Sequence, residues 1–160
     1  MKEQLISFET AKLAKEKGFN EETFGHHYID NNDDHLFPHA ITGFNEALKW
    51  NSILEDSFFK ALYRGLEIKE IISVPTQSFL QQWLREKHNI YVIITEEFYA
   101  NGINHNVQIL TYDSSNVENN YINNNKSTKM YGDNGEFKNH EEALEFGLQK
   151  ALKLIENDNN

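Results

Sequence analysis

The feature that most constrains the fold is a change in the spacing of apolar residues after Pro75. Thr76 can cap a helix whose apolar face contains Phe79, Leu80, Trp83 and Leu84. Three segments with strand character follow, at residues 89–98, 106–112 and 128–131. Helical spacing then returns near the end of the chain. This order predicts an α+β fold, in which two helices cover one face of a three-stranded antiparallel sheet.

The connections and the last helix carry local signals of their own. Gly102 and the neighbouring asparagines mark the first turn, and residues 117–126 predict a mobile loop. Asn139 and Glu142 form a capping box, with Asn in place of Ser or Thr. The helix that follows presents small residues four positions apart, which predicts a close contact with the sheet: Ala143, Gly147 and Ala151.

The first half of the chain gives a less regular pattern. Ser7 caps a short helix that ends before Gly18. Residues 23–29 and 35–37, joined by turn residues, predict a β-hairpin. A longer helix is expected from Asn45 to Gly65, with Trp50 in the core, and residues 68–74 are a strand or extended chain. We expect one domain over residues 1–160, with 1–74 packing on the unit at 75–157.

Composition narrows the chemistry. The chain contains no cysteine, which excludes disulfides, thiolate metal sites and a cysteine nucleophile. It has no signal-peptide pattern and no run near the ~18 apolar residues of a membrane span, so a soluble cytoplasmic protein is expected. The net charge of −10 disfavours phosphate backbones. It serves solubility, or it forms a docking surface for a basic partner.

Two stretches together carry a family resemblance: SFETAKLAKEKGF at residues 7–19 and PTQSFLQQWLREKH at residues 75–88. With the Glu141–Leu144 segment, they resemble a family of small uncharacterised proteins from phages and prophages of Bacteroides and its relatives. The resemblance implies a phage or mobile-element origin, and hence the host cytoplasm. It implies no catalytic activity.

The C-terminal half is similar in topology to a double-stranded-RNA-binding domain, which has the same order of helix, three strands and helix. The resemblance makes Gln77, Gln81 and His105 a test set for RNA contacts, with Gly102 to His105 in the position of that family's loop between its first two strands. The lysine cluster that opens the last helix of those domains is replaced here by Asn139-His140-Glu141-Glu142. Two carboxylates there would weaken binding to phosphates, so nucleic acid is an unfavoured partner.

Histidines and aspartates crowd the early hairpin, where they suggest a metal or small-molecule site: His26, His27, Asp30, Asp33, Asp34, His35 and His39. Adjacent histidines on a strand face opposite ways, and His26 meets His35 only in one register. The segment also fails as a calcium loop, because His35 and Ile41 stand where Gly and Glu are needed. A solvated turn is the favoured interpretation. We therefore expect no metal or other cofactor.

No other motif predicts catalysis. Glu96 and Glu97 are adjacent on a strand, so they face opposite ways and cannot share a proton. Trp50 and Trp83 are expected in the core. The leading hypothesis is a non-enzymatic phage or prophage accessory protein that binds a host protein or a second copy of itself. RNA binding and a metal- or small-molecule-using protein are the alternatives.

Overall fold

A computed structural model describes residues 3–29, 34–37, 48–55, 68–100, 102–112, 125–131, 137 and 139–155. The predicted α+β class is confirmed in this part of the chain. The described helices are α1 (Phe8–Glu16), a 3-10 helix (Trp50–Glu55), α2 (Gln77–His88) and α3 (His140–Leu152). The described strands are β1 (Gly25–Ile29), β2 (Asp34–Phe37), β3 (Glu70–Val74), β4 (Ile90–Tyr99), β5 (Gly102–Tyr112) and β6 (Asn125–Tyr131).

The chain divides into two compact units, Met1–Thr76 and Gln77–Asn160. The division falls beside Pro75, where the spacing of apolar residues changes in the sequence. None of the described helices is both long enough and apolar enough to cross a membrane.

In the first unit, β1 lies between β2 and β3 and pairs with both in the antiparallel sense. The predicted hairpin is confirmed, because β1 pairs with β2 in the antiparallel sense, with Ile29 opposite Asp34. The predicted first helix is confirmed as well. The Ser7 side chain accepts a hydrogen bond from the backbone N–H of Thr10, and Gly18 follows the helix with a φ of 85° that favours glycine.

The helix expected from Asn45 to Gly65 is wrong at its start. Leu48 exchanges two backbone hydrogen bonds with Thr23 (2.9 and 3.0 Å), so the chain is extended there. The 3-10 helix begins two residues later, and Trp50 donates from Nε1 to the carbonyl oxygen of Thr23 at 2.8 Å. These bonds between distant segments override the helical spacing of the apolar residues. Residues 38–47 and 56–67 of the expected helix and its approach lie outside the described part.

In the second unit, β4 pairs with β5 and β5 pairs with β6, both in the antiparallel sense. Helices α2 and α3 contact each other and both contact β4. The small-residue ridge on α3 makes the predicted close contact with the sheet. A Cβ at Gly147 would lie 2.6 Å from Cγ1 of Val92 and 2.9 Å from Cγ1 of Val107. Glycine is therefore needed for α3 to reach this distance from β4 and β5.

Two strand limits differ from the sequence prediction. Strand β5 begins at Gly102, so the segment from Gly102 to His105 is paired strand and not the expected loop. Two residues connect Tyr99 to Gly102, the commonest length for a β-hairpin. Strand β6 begins at Asn125, so Asn125 and Lys126 belong to it, and residues 117–124 of the predicted loop lie outside the described residues.

Candidate functional site

The two glutamines of the RNA test set lie on α2, and their amides bind within the second unit. Gln77 is only 5% exposed, and its Nε2 donates to the carbonyl oxygen of Glu141 and to Oε2 of Glu145, both at 3.0 Å. Gln81 donates from Nε2 to the carbonyl oxygen of Val92 at 2.7 Å. The first amide joins α2 to α3, and the second joins α2 to β4. Both are occupied by structural contacts.

The third member, His105, lies on β5 opposite Glu96 and is 8% exposed. Its buried Nδ1 has no hydrogen-bond partner among the described residues and lies 3.6 Å from Oε1 of Glu96. Nδ1 of His140, the first residue of α3, lies 3.8 Å from the same oxygen. Glu96 is thus placed between two imidazoles, which form ion pairs with it when they are protonated. Among the described contacts, no residue is shared between His105 and the two glutamines.

Glu96 and Glu97 face opposite sides of the sheet, as predicted. Glu96 lies near the two histidines, whereas Glu97 accepts a hydrogen bond from the hydroxyl group of Tyr99 at 2.7 Å. This hydrogen bond, and then the negative charge of Glu97, raise the pKa of Tyr99 above its ordinary value. The two carboxylates share no proton, so they do not form a general acid–base pair.

Three large apolar side chains are exposed where β4 turns into β5. Phe98 is 75% exposed, Tyr99 is 53% exposed and Ile103 is 47% exposed. Phe98 pairs directly with Ile103, and Tyr99 pairs with Gly102 beside the turn. We call Phe98, Tyr99 and Ile103 the hairpin end. Sequence reasoning did not single it out, although an aromatic pair just before Ala100-Asn101-Gly102 was a signal for it.

The hairpin end has the chemistry of a protein contact. Single exposed apolar residues are common on protein surfaces, but adjacent ones mark interaction sites more often. Aromatic side chains are enriched among residues that dominate binding energy. Glu96 and Glu97 precede Phe98 directly and add two carboxylates to its border. Phe98 and Ile103 therefore form an apolar pair on the face that also carries Glu96, and Tyr99 and Glu97 lie on the other face.

Within the described part of the histidine-rich hairpin, His26 and His35 do not lie opposite each other. His26 is buried, with its ring stacked on Trp50 at a centroid distance of 3.8 Å, and it pairs with Phe37. His35 pairs with Tyr28 and not with His26. His27 and Asp34 occupy strand positions in β1 and β2, whereas Asp30, Asp33 and His39 lie outside the described residues. Over the described ranges, no group of three or more His, Asp or Glu side chains could hold a metal ion.

The prediction that both tryptophans lie in the core is confirmed. Trp50 is fully buried, and Trp83 is buried on α2.

Comparison with protein-family models, with curated proteins and with solved structures gives no significant match. The likenesses to a phage family and to an RNA-binding domain remain predictions from the sequence.

Proposed function

We propose that this chain is a non-enzymatic binding protein that contacts a partner protein through the hairpin end. The observation that carries the proposal is the exposure of Phe98 and of its direct partner Ile103 on one face of the hairpin, with exposed Tyr99 beside them on the other face. Antiparallel pairing of β4 with β5 holds the backbone that carries these side chains, which lowers the backbone entropy lost on binding. Phe98 is the proposed anchor, because it exposes the largest fraction of its side chain.

The charge of the chain defines the chemistry of the partner. Glu96 and Glu97 border the hairpin end, and the chain as a whole carries −10. Complementary charge speeds association and selects among partners. The proposed partner therefore has an apolar pocket with lysine or arginine at its rim. Contact between two copies through this end would bring like charges together, so a homodimer is disfavoured.

We also propose where the protein acts and which part of its fold supports the hairpin end. A phage or prophage accessory role in the host cytoplasm, with a host protein as partner, fits the family resemblance. An αβββα unit, with one sheet of three antiparallel strands and both helices on one face, is the proposed support for the hairpin end. The contacts of α2 and α3 with β4 support this arrangement.

Duplex RNA is not favoured as the partner. The amides of Gln77 and Gln81 bind within the second unit, and Glu141 and Glu142 stand in the first turn of α3. A protein that grips phosphates needs positive charge at such positions. The same charge argument leaves a basic protein surface as the better match.

A capture experiment with matched variants tests the proposal. The wild-type chain, Phe98→Ser and Phe24→Ser are immobilised in equal amounts and exposed to a bacterial lysate. Phe24 is the control, because it is 57% exposed but lies in the first unit, away from the hairpin end in sequence. We expect a protein that the wild type and Phe24→Ser retain at low salt, that high salt releases, and that Phe98→Ser loses. Equal capture by all three chains would refute the hairpin end as the binding site.

A further inference from the structure

Among the described strands, β4 lies at an edge of its sheet. It pairs with β5 on one side, and the order of strands in the second unit is β4-β5-β6. Within the described residues, no strand pairs with its other side. An edge of this kind presents backbone N–H and C=O groups that another chain can pair with.

The hairpin geometry shows which residues present those groups. Two residues connect the closing pair Tyr99 and Gly102, and in such hairpins the closing residues bond to each other. Hydrogen-bonded and non-hydrogen-bonded pairs alternate along an antiparallel ladder. The backbone groups of Ile94, Glu96 and Phe98 consequently point away from β5.

The contact between α2 and β4 supports the same assignment independently. Val92 lies two residues before Ile94, so its backbone groups also point away from β5. Its carbonyl oxygen accepts a hydrogen bond from the side-chain amide of Gln81. Gln81 therefore occupies the edge at Val92. Among the described hydrogen bonds, none fills the edge from Ile94 to Phe98.

We propose that β4 accepts an extended, basic segment of the partner as an added strand beside residues 94–98. This inference rests on the proposed function, because the hairpin end lies at the C-terminal end of the same strand. Backbone pairing along an edge is a known mode of peptide recognition, with side chains supplying specificity. Gln81 sets the limit of the added strand at Val92.

Charge selects the occupant. Glu96 and Glu97 point to opposite faces of the sheet, so an added strand meets one carboxylate on each face. Two consecutive basic residues on the added strand also point to opposite faces, and each would lie near one carboxylate. The β4 strand of a second copy would instead bring its own two carboxylates. The edge thus fits a basic segment better than it fits itself.

Hydrogen exchange on the full-length chain tests the inference. The probe is a short, end-blocked peptide with two adjacent lysines flanked by valines and threonines. We expect the bound peptide to slow amide exchange at Ile94, Glu96 and Phe98, with no change at Thr95 and Glu97, whose amides already bond to β5. Two control peptides carry glutamates in place of the lysines, or N-methyl groups on alternate backbone amides. Each should bind at least about tenfold more weakly, which corresponds to the loss of one or two net hydrogen bonds or charge contacts.

The failures of the two proposals can be told apart. Absence of peptide binding, unchanged exchange at the three amides, or full binding of the N-methylated peptide would overturn strand addition. Loss of partner capture in Phe98→Ser would then still support protein binding by the hairpin end. Equal capture by Phe98→Ser and wild type would refute the hairpin end, whatever the peptide does.

Discussion

The side-chain amide of Gln81 donates a hydrogen bond of 2.7 Å to the carbonyl oxygen of Val92 and thereby ties α2 to β4. Val92 is buried, so its carbonyl oxygen depends on a partner from the protein. One side chain in this way both stabilises the contact of a helix with a sheet and closes part of a strand edge.

Replacing Gln81 should therefore destabilise the second unit. Gln81→Ala leaves the Val92 carbonyl without its partner, and we expect the free energy of unfolding to fall by about 1–3 kcal/mol. Gln82→Ala is the matched control on the same helix, because the exposed Gln82 bonds, among the described residues, to Glu86 in the next turn, and it should change stability by less than about 0.5 kcal/mol. Urea denaturation measures both. Equal stability of the two variants would contradict the structural role of Gln81.

Adding a methyl group at Gly147 should also destabilise the chain. The new Cβ would lie 2.6 Å from Cγ1 of Val92, so α3 or β4 must shift. Overpacking of this kind costs about 1–3 kcal/mol, and the better helix propensity of alanine recovers only about 0.5–1 kcal/mol of it.

Gly147→Ala should thus lower the melting temperature, and Val92→Ala should restore part of the loss when it is added to Gly147→Ala. A double-mutant cycle measured by thermal denaturation gives this coupling. Strictly additive effects of the two substitutions would show that the contact is not tight.

Proline substitutions show directly which β4 residues point their backbone N–H toward β5 and which point it away. Thr95→Pro removes an N–H that bonds to β5, and we expect a loss of about 3 kcal/mol or failure to fold. Glu96→Pro removes an N–H that points away from β5, and an edge strand tolerates such a proline better. Circular dichroism and denaturation rank the two variants. The reverse order of stability would assign the opposite directions to these N–H groups and remove the basis of strand addition.

Ionisation of Tyr99 should respond to Glu97. The phenol donates a hydrogen bond to the Glu97 carboxylate, and ionisation would replace this bond by repulsion, so the pKa of Tyr99 is raised. Glu97→Gln should lower the pKa of Tyr99 toward its ordinary value.

NMR of ring-labelled tyrosine, titrated into the alkaline range, measures this change in the pKa of Tyr99. Glu96→Gln is the control, because that carboxylate faces the histidines on the other side of the sheet. The sign for stability follows from the raised pKa. The contribution of this hydrogen bond is present at neutral pH and is lost as the pH rises through the pKa of Tyr99 in the folded chain. An identical Tyr99 titration in wild type and Glu97→Gln would contradict the hydrogen bond.

Local signals in the sequence predicted α1 and α3 well. The Ser7 and Asn139 caps and the small residues of α3 act within one or two turns, and the structure places them as expected. Leu48 shows where such signals fail, because its pairing with Thr23 joins segments far apart in sequence. The start of β5 at Gly102 likewise depends on pairing with β4. The first residues of β5 lack the regular alternation of apolar and polar residues that predicts a strand.

The candidate site was harder to predict for a similar reason. Helical position put Gln77 and Gln81 on the correct element, but the direction of each amide depends on Glu141, Glu145 and Val92, which the sequence cannot place. The exposure of Phe98 depends on how far β4 extends beyond the helices. An apolar residue near a turn fits a core position as well as a surface position, and only the register of the strands decides between the two.

The stacking of His26 on Trp50 and the edge contact of His88 with Trp83 place one tryptophan beside a histidine in each compact unit. The chain has two tryptophans in all. Each unit therefore carries its own intrinsic fluorophore, and single-tryptophan variants would give each unit a separate optical signal. Coincident fluorescence transitions would make the chain one cooperative folding block, and separated transitions would make it two.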